Sequence, residues 1–127
     1  MTTEQLEDFE QLGRRAVACK HWRWMPGMLT TYATRVNSVT RNGSPEPRLG
    51  GLIEADPLPA LDDPATMGCL LALVREAHHA PAAYLMGSVS QQWVVHHFAE
   101  PEAYWKPLTK WQPTEVEALV AALEAAP

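Results

Sequence analysis

The chain has 127 residues, of which 46% are hydrophobic and 20% charged, a composition that excludes an intrinsically disordered protein. This length fits one domain with a modest core, so we predict a single domain over residues 1–127. No apolar run approaches the roughly 18 residues that a membrane span needs, and the acidic first ten residues differ from a signal peptide. We therefore expect a soluble, cytoplasmic protein without membrane contact.

The net charge of −5 is unevenly distributed along the chain. Residues 11–50 contain seven Lys or Arg and one acid, whereas residues 51–127 contain three bases and ten acids. Such segregation suits a protein that attracts a charged ligand or partner. It does not decide the sign of that partner.

The first predicted helix runs from Thr3 to about Lys20. Thr2 and Gln5 match a capping box at its start. Apolar residues recur at helical spacing and are assigned to the core. They are Leu6, Phe9, Leu12, Ala16 and Val17.

The next stretch, Met28 to Thr40, is rich in Thr, Val and Tyr and predicts a strand. Asn42-Gly43 is a strong hairpin signal, and we place the second strand near Arg48 to Glu54.

Asp63 as N-cap and Pro64 as first residue predict a second helix that stops before Ala80. A second hairpin follows, with strands at Ala82–Met86 and Gln92–Phe98 on either side of Gly87-Ser88. Residues 99–113 predict an aromatic loop with one short strand. Thr114 and Glu117 form a capping box for a third helix.

The predicted order is helix, hairpin, helix, hairpin, helix. Antiparallel strands with helices gathered on one face are typical of an α+β two-layer fold. The apolar stripes of the second and third helices are wide enough for homodimerisation through either of them.

The densest group of candidate functional residues lies between Cys19 and Met28. Indole faces stack on bases, and guanidinium groups bind phosphate oxygens, so this segment with the two preceding arginines predicts a ligand or partner site. The alternative is that both indoles fill the core. The predicted site consists of Arg14, Arg15, Lys20, His21, Trp22, Arg23 and Trp24.

Further candidate sites involve aromatic residues, histidines, carboxylates and cysteines elsewhere in the chain. Trp105 and Trp111 suit a partner contact. The pairs His78-His79 and His96-His97 lack the spacing of a zinc motif, and we predict no metal and no cofactor. Four carboxylates, Glu54, Asp56, Asp62 and Asp63, are an acid/base or cation alternative. Cys19 and Cys69 are predicted to be buried, reduced thiols.

Three segments together resemble small, functionally uncharacterised proteins of bacteriophage and prophage genomes. They are A-V-A-C-K with W-R-W-M-P-G-M (residues 16–28), D-P-A-T with G-C-L-L-A-L-V-R-E-A (63–77), and the closing T-E-V-E-A-L-V-A-A-L-E-A-A-P. A helix followed by K-x-W and G-M leading into a strand is also similar to phage proteins that trap nucleotide signals. Accessory proteins of this kind often bind and block a host system, so the resemblance implies a host protein or nucleoprotein complex as partner.

These observations predict a non-enzymatic phage or prophage protein that inhibits a host defence system, such as a CRISPR effector. The second hypothesis is sequestration of an anionic nucleotide by Lys20, His21, Trp22, Arg23 and Trp24. The third is a small nucleotide-directed hydrolase that uses the acidic cluster.

Overall fold

The computed structural model describes residues 2–47, 53, 56–99 and 104–127. Over these residues the chain is a small α+β protein with three helices and two antiparallel sheets, which confirms the predicted class and element order. The elements are α1 (Thr3–Ala18), β1 (Ser38–Val39), β2 (Pro45–Glu46), α2 (Pro64–Ala77), β3 (Tyr84–Gly87), β4 (Trp93–Ala99), β5 (Tyr104–Pro107) and α3 (Glu115–Glu124). Among the described helices, none combines the length and the apolar character needed to cross a membrane.

The chain divides into two compact units. Unit 1 comprises Met1–Ala18 and Trp22–Cys69, and unit 2 comprises Cys19–His21 and Leu70–Pro127. The boundary along the chain falls within α2.

The helix starts are the elements that the sequence predicts best. The Thr2 amide donates to Gln5 Oε1 at 2.8 Å and the Gln5 amide donates to Thr2 Oγ1 at 3.2 Å, so both halves of the first capping box form. Asp63 Oδ2 accepts from the Thr66 amide at 3.0 Å and caps α2. At α3, Thr114 Oγ1 accepts from the Glu117 amide at 3.1 Å.

The strand predicted over Met28–Thr40 is wrong for most of its length. Leu29 and Arg35 form an isolated bridge, and the residues between them make a tight loop. Thr30 closes this loop, because its hydroxyl accepts from the Thr34 amide at 3.2 Å and its own amide donates to the Thr34 carbonyl at 2.9 Å. Side-chain hydrogen bonds of this kind compete with a strand ladder, and they override the β propensity of the stretch.

The first hairpin turns where Asn42-Gly43 predicts it, with Gly43 at a φ of 82°. Its strands are short, since only Ser38 pairs with Glu46 and Val39 with Pro45. The predicted second strand, residues 48–54, lies outside the described residues except for Ile53, which is not in a strand.

Unit 2 is built on an antiparallel sheet of order β3-β4-β5, against which α3 packs at β3 and β4. The second predicted hairpin is confirmed, with the strand ends shifted by one or two residues. The unit has an aliphatic core of fully buried side chains. They include Leu70, Leu73, Val74, Val94, Val95, Leu119, Val120 and Leu123.

Candidate functional site

The two arginines of the predicted site lie exposed on α1. Arg14 Nη2 is 3.5 Å from Glu10 Oε2, an i, i+4 ion pair between half-exposed side chains. Arg15 is exposed and has a partner of its own. An exposed ion pair of this kind contributes little to the stability of the fold. The Arg14 side chain could therefore bind a ligand with little loss of stability.

The two tryptophans of the predicted site pack against each other. Trp22 and Trp24 have ring centroids 5.4 Å apart in an edge-to-face arrangement with an interplanar angle of 82°. Trp24 is only 8% exposed, whereas Trp22 is half-buried with its indole nitrogen buried and without a hydrogen-bond partner. For Trp24 the alternative prediction of an indole in the core is therefore confirmed, and its ring is not accessible to a base. Arg23 between them is exposed and has a partner.

Lys20 and His21 belong to unit 2, where His21 lines a pocket. His21 Nε2 is 2.7 Å from the main-chain oxygen of Pro127, and Lys20 is exposed. The pocket has a volume of about 230 Å³ and a floor of apolar side chains. Its lining consists of His21, Leu73, Glu76, Ala77 and His79.

His79 reaches this pocket because of the way in which α2 ends. The Ala80 amide donates to the Arg75 carbonyl at 2.8 Å and the His79 amide to the Glu76 carbonyl at 3.2 Å, the pattern of a Schellman motif. The motif needs a left-handed residue, and His79 takes that place at a φ of 52° where glycine is usual. The pocket thus collects two imidazoles and a carboxylate. Within the described part of the chain, no three His, Cys, Asp or Glu side chains are arranged to hold a metal ion.

His78 and His96 take part in contacts within unit 2. The His78 Nε2 atom is 2.6 Å from the Ala122 carbonyl of α3. His96 lies between Tyr84 and Trp111, with ring centroids 6.3 and 6.4 Å away, and its Nδ1 atom is buried without a partner. Trp111 is 43% exposed, and its partner contact stays a prediction; the side chain of Trp105 lies outside the described residues.

Three of the four predicted carboxylates lie within the described residues, and they differ in their surroundings. Asp63 is bound by Arg35, at 2.7 Å to Nη1 and 3.3 Å to Nη2, and by Thr66. The Arg35 hydrogen bond, followed by those from Thr66, lowers the pKa of Asp63 below its ordinary value. Asp62 and Asp56 are exposed, and Glu54 lies outside the described residues. Asp63 is therefore a structural residue.

The two cysteines are free thiols, as predicted, and both are half-buried. Cys19 follows α1, whereas Cys69 lies within α2. Burial, with a smaller contribution from the charge of Asp63, raises the pKa of the Cys69 thiol. The thiol form is unreactive as a nucleophile.

Unit 1 contains a groove that the sequence did not predict. It has a volume of about 320 Å³ and combines apolar side chains with two carboxylates. Its lining consists of Leu6, Phe9, Glu10, Thr31, Tyr32, Ala60 and Asp62. Leu6 is 51% exposed and Tyr32 is 77% exposed, so both differ from a core side chain. The assignment of Leu6 to the core was wrong, while Leu12 and Ala16 of the same helix face are buried.

A network of hydrogen bonds fixes the loop that carries Tyr32. The Thr31 amide donates to the Leu58 carbonyl at 2.9 Å, and the Ala60 amide donates to the Leu29 carbonyl at 2.7 Å. Ala33 adopts a φ of 64°, the left-handed conformation that turns the chain back. These bonds hold the loop beside the Ala60–Asp62 segment and present Tyr32 to solvent.

No sequence signal pointed to this groove, because its parts come from a helix, a loop and a connection far apart in the chain. Helical periodicity placed Leu6 on the same face as buried residues, and strand-like composition concealed the Tyr32 loop. A comparison of the chain with protein-family models, curated proteins and solved structures found no match.

Proposed function

We propose that this protein is a non-enzymatic accessory protein of a phage or prophage that inhibits a host defence system by binding one of its components. The observation that supports binding is the groove of unit 1, where two large apolar side chains, Leu6 and Tyr32, stand exposed beside Phe9. An aromatic side chain at the edge of an apolar depression is typical of a protein-binding surface. The phage-like sequence segments support the choice of a host component as the partner.

The charge around the groove supports a basic segment as the part of the partner that binds there. Glu10 and Asp62 line it, and Glu4, Glu7 and Asp8 of the same helix are exposed. Of the two lining carboxylates Glu10 also pairs with Arg14, and both lie beside apolar side chains, an arrangement complementary to a segment with Lys or Arg beside an apolar anchor residue. The partner is therefore a host protein with a basic, apolar-anchored segment.

The nucleotide trap is supported less well than protein binding. It requires indole faces open to a base, and Trp24 is buried with its ring against Trp22. The exposed cations of the same stretch fit an anionic ligand, but they fit many others equally well.

Phage plating tests the proposal. Host strains that each carry one defence system are infected with a sensitive phage, with and without expression of this chain. Expression is expected to restore plaques on at least one strain. The double variant Leu6→Ser with Tyr32→Ser is expected to abolish the restoration, because the groove of unit 1 loses both of its exposed large apolar side chains.

Val89→Ser provides the matched control for these substitutions. Val89 is a fully exposed apolar residue of unit 2, so its replacement removes apolar surface outside the groove. This variant should protect the phage as well as the wild type does. Protection in no strain contradicts the proposed function. Full protection by the Leu6/Tyr32 variant contradicts the groove as its site.

The charge argument has its own test once a protected strain identifies the defence component. Asp62→Lys is expected to weaken binding of the purified component, and added salt should reduce the difference between wild type and variant. Equal affinity of both proteins at low salt would contradict an acidic recognition surface. Quenching of tryptophan emission by a nucleotide, with no protein partner, would favour the trap instead.

A further inference from the structure

In the part of the chain that the structure describes, some main-chain groups of β3 have no hydrogen-bond partner. The Val95 carbonyl accepts from the Leu108 amide at 2.8 Å, and Trp93 exchanges two bonds of 2.7 Å with Gln112. Odd-numbered residues of β4 therefore bond away from β3, and even-numbered ones bond toward it. In this register the β3 partners of the even-numbered residues are Tyr84 and Met86. It follows that Leu85 and Gly87 direct their N–H and C=O groups away from the sheet.

A side chain blocks the edge of β3 at the N-terminal end of the strand. Arg75 Nε donates to the Ala83 carbonyl at 2.7 Å and thereby ends the open edge just before Tyr84. Within the described part of the chain, no hydrogen bond engages the main-chain groups of Leu85 or Gly87. The main-chain groups of these two residues are those that an added strand would bind.

The opposite edge of the sheet is blocked at Pro107. In β5, Lys106 pairs with His97 and so bonds toward β4, which leaves Pro107 directed outward. Proline has no N–H group to offer to another strand. Sheet edges in soluble proteins are usually blocked in this way, so an unblocked β3 edge is a candidate contact.

We propose that β3 pairs antiparallel with β3 of a second copy of this chain, about a two-fold axis at Met86. In this register Leu85 lies opposite Gly87 of the second copy, and Gly87 lies opposite its Leu85. Each such pair exchanges both of its hydrogen bonds, so every outward group of the edge is satisfied in both copies. Antiparallel pairing of a strand with itself is self-complementary, as a two-fold interface requires.

The side chains around Gly87 fit a leucine from a second copy. The Trp93 indole covers Gly87, since a Cβ added there would lie 3.0 Å from the ring. Opposing residues of an antiparallel pair point to the same face, so Leu85 of the second copy would lie beside this indole and above a residue without a side chain. Leu85 and Trp93 are both half-buried in one copy and can bury more surface.

The helices predicted from sequence to dimerise do not offer such a surface. The apolar stripes of α2 and α3 are occupied within the chain, with Leu70, Val74, Leu119 and Leu123 fully buried. The β3 edge is thus the contact that the described residues favour for a second copy.

Sedimentation and light scattering of two variants test this interface. The wild type is expected to have about twice the 14.1 kDa mass of one chain. Leu85→Pro removes an outward N–H without removing a bond to β4, and Met86→Lys places like charges opposite each other across the axis. Both variants should have the mass of one chain, with an unchanged far-ultraviolet circular dichroism spectrum. Val89→Lys adds the same charge to the adjacent exposed turn and should keep the mass of the wild type.

A monomeric wild type at all concentrations overturns the proposal, as does a dimer that both variants retain. Hydrogen exchange on the wild type gives a second readout if a variant does not fold. Exchange at Leu85 and Gly87 should slow as concentration rises, and concentration-independent exchange there contradicts the pairing. The proposed interface uses residues of unit 2, whereas Leu6 and Tyr32 belong to unit 1, so failure of the interface leaves the proposed function standing.

Discussion

The interactions that stabilise the interior of unit 1 differ from those that stabilise the interior of unit 2. In unit 2, a three-stranded sheet and α3 enclose aliphatic side chains such as Val94, Val95 and Leu119. Unit 1 has one long helix and little sheet, and polar contacts among Arg35, Asp63 and Thr66 hold its loops. The comparison indicates that burial on a sheet stabilises unit 2, whereas unit 1, which buries Met28, Val36 and Leu61, also depends on directed hydrogen bonds for the shape of its loops.

The largest expected effect comes from the core of unit 2. Leu119 is fully buried in α3, and Leu119→Ala should lower the free energy of unfolding by about 2–5 kcal/mol, because it removes apolar contacts and leaves a cavity. Urea denaturation at neutral pH measures the change. Val89→Ala, at a fully exposed position, should change it by less than about 0.5 kcal/mol. A loss below about 1 kcal/mol for Leu119→Ala would mean that this core tolerates a cavity, against the comparison.

The next effect concerns the polar network of unit 1. The buried Thr66 hydroxyl accepts from the Leu29 amide at 2.9 Å and donates to Asp63 Oδ2 at 2.9 Å. Thr66→Val keeps the shape of the side chain but leaves both groups without this partner, at an expected cost of about 1–3 kcal/mol. Thr31→Val, at an exposed position of the adjacent loop, is the matched control and should be nearly neutral. If both variants unfold at the urea concentration of the wild type, directed hydrogen bonds do not determine unit 1.

The difference between apolar burial and directed hydrogen bonds also explains which parts of the fold could be predicted from the sequence. Periodicity and caps identify elements that depend on apolar burial, and they located α2, α3 and the β3-β4 hairpin. The strand prediction over Met28–Thr40 is wrong because the Thr30 hydroxyl binds the main chain of the loop at Thr34 and does not line a pleated strand. Long-range bonds such as that from Thr66 to Leu29 have no signature in sequence spacing.

The candidate site was predictable only in part, for a related reason. Charge and aromatic content singled out Lys20 to Trp24, but composition does not tell an indole in the core from one at the surface, and Trp24 is in the core. Leu6 has the helical spacing of a core residue, yet half of its side chain is exposed. The described residues do not cover the side chain at that end of α1. Exposure at the end of an amphipathic helix depends on how far the neighbouring segments extend, and periodicity carries no information about that.

The smallest expected effect is the dependence of stability on pH through Asp63. Its pKa is lowered in the folded protein, chiefly by Arg35, so the unfolded chain binds this proton more tightly. The contribution is therefore complete above the ordinary value of 3.8 and is lost as the pH falls through the lower, folded value. Asp63→Asn keeps a side chain that caps helices well and removes the charge, so at neutral pH it should cost less than Thr66→Val.

Urea denaturation between about pH 5 and pH 2.5 measures this contribution. The wild type should lose stability more steeply than Asp63→Asn as the pH falls. Arg35→Gln should flatten the curve to a similar degree, because it removes the hydrogen bond with the largest effect on the pKa of Asp63. The double variant should add little to either single variant, since the two residues act through one contact. Parallel curves for wild type and Asp63→Asn would show that this ion pair does not link folding to protonation, and the shape of unit 1 would then rest on Thr66 and the loop hydrogen bonds alone.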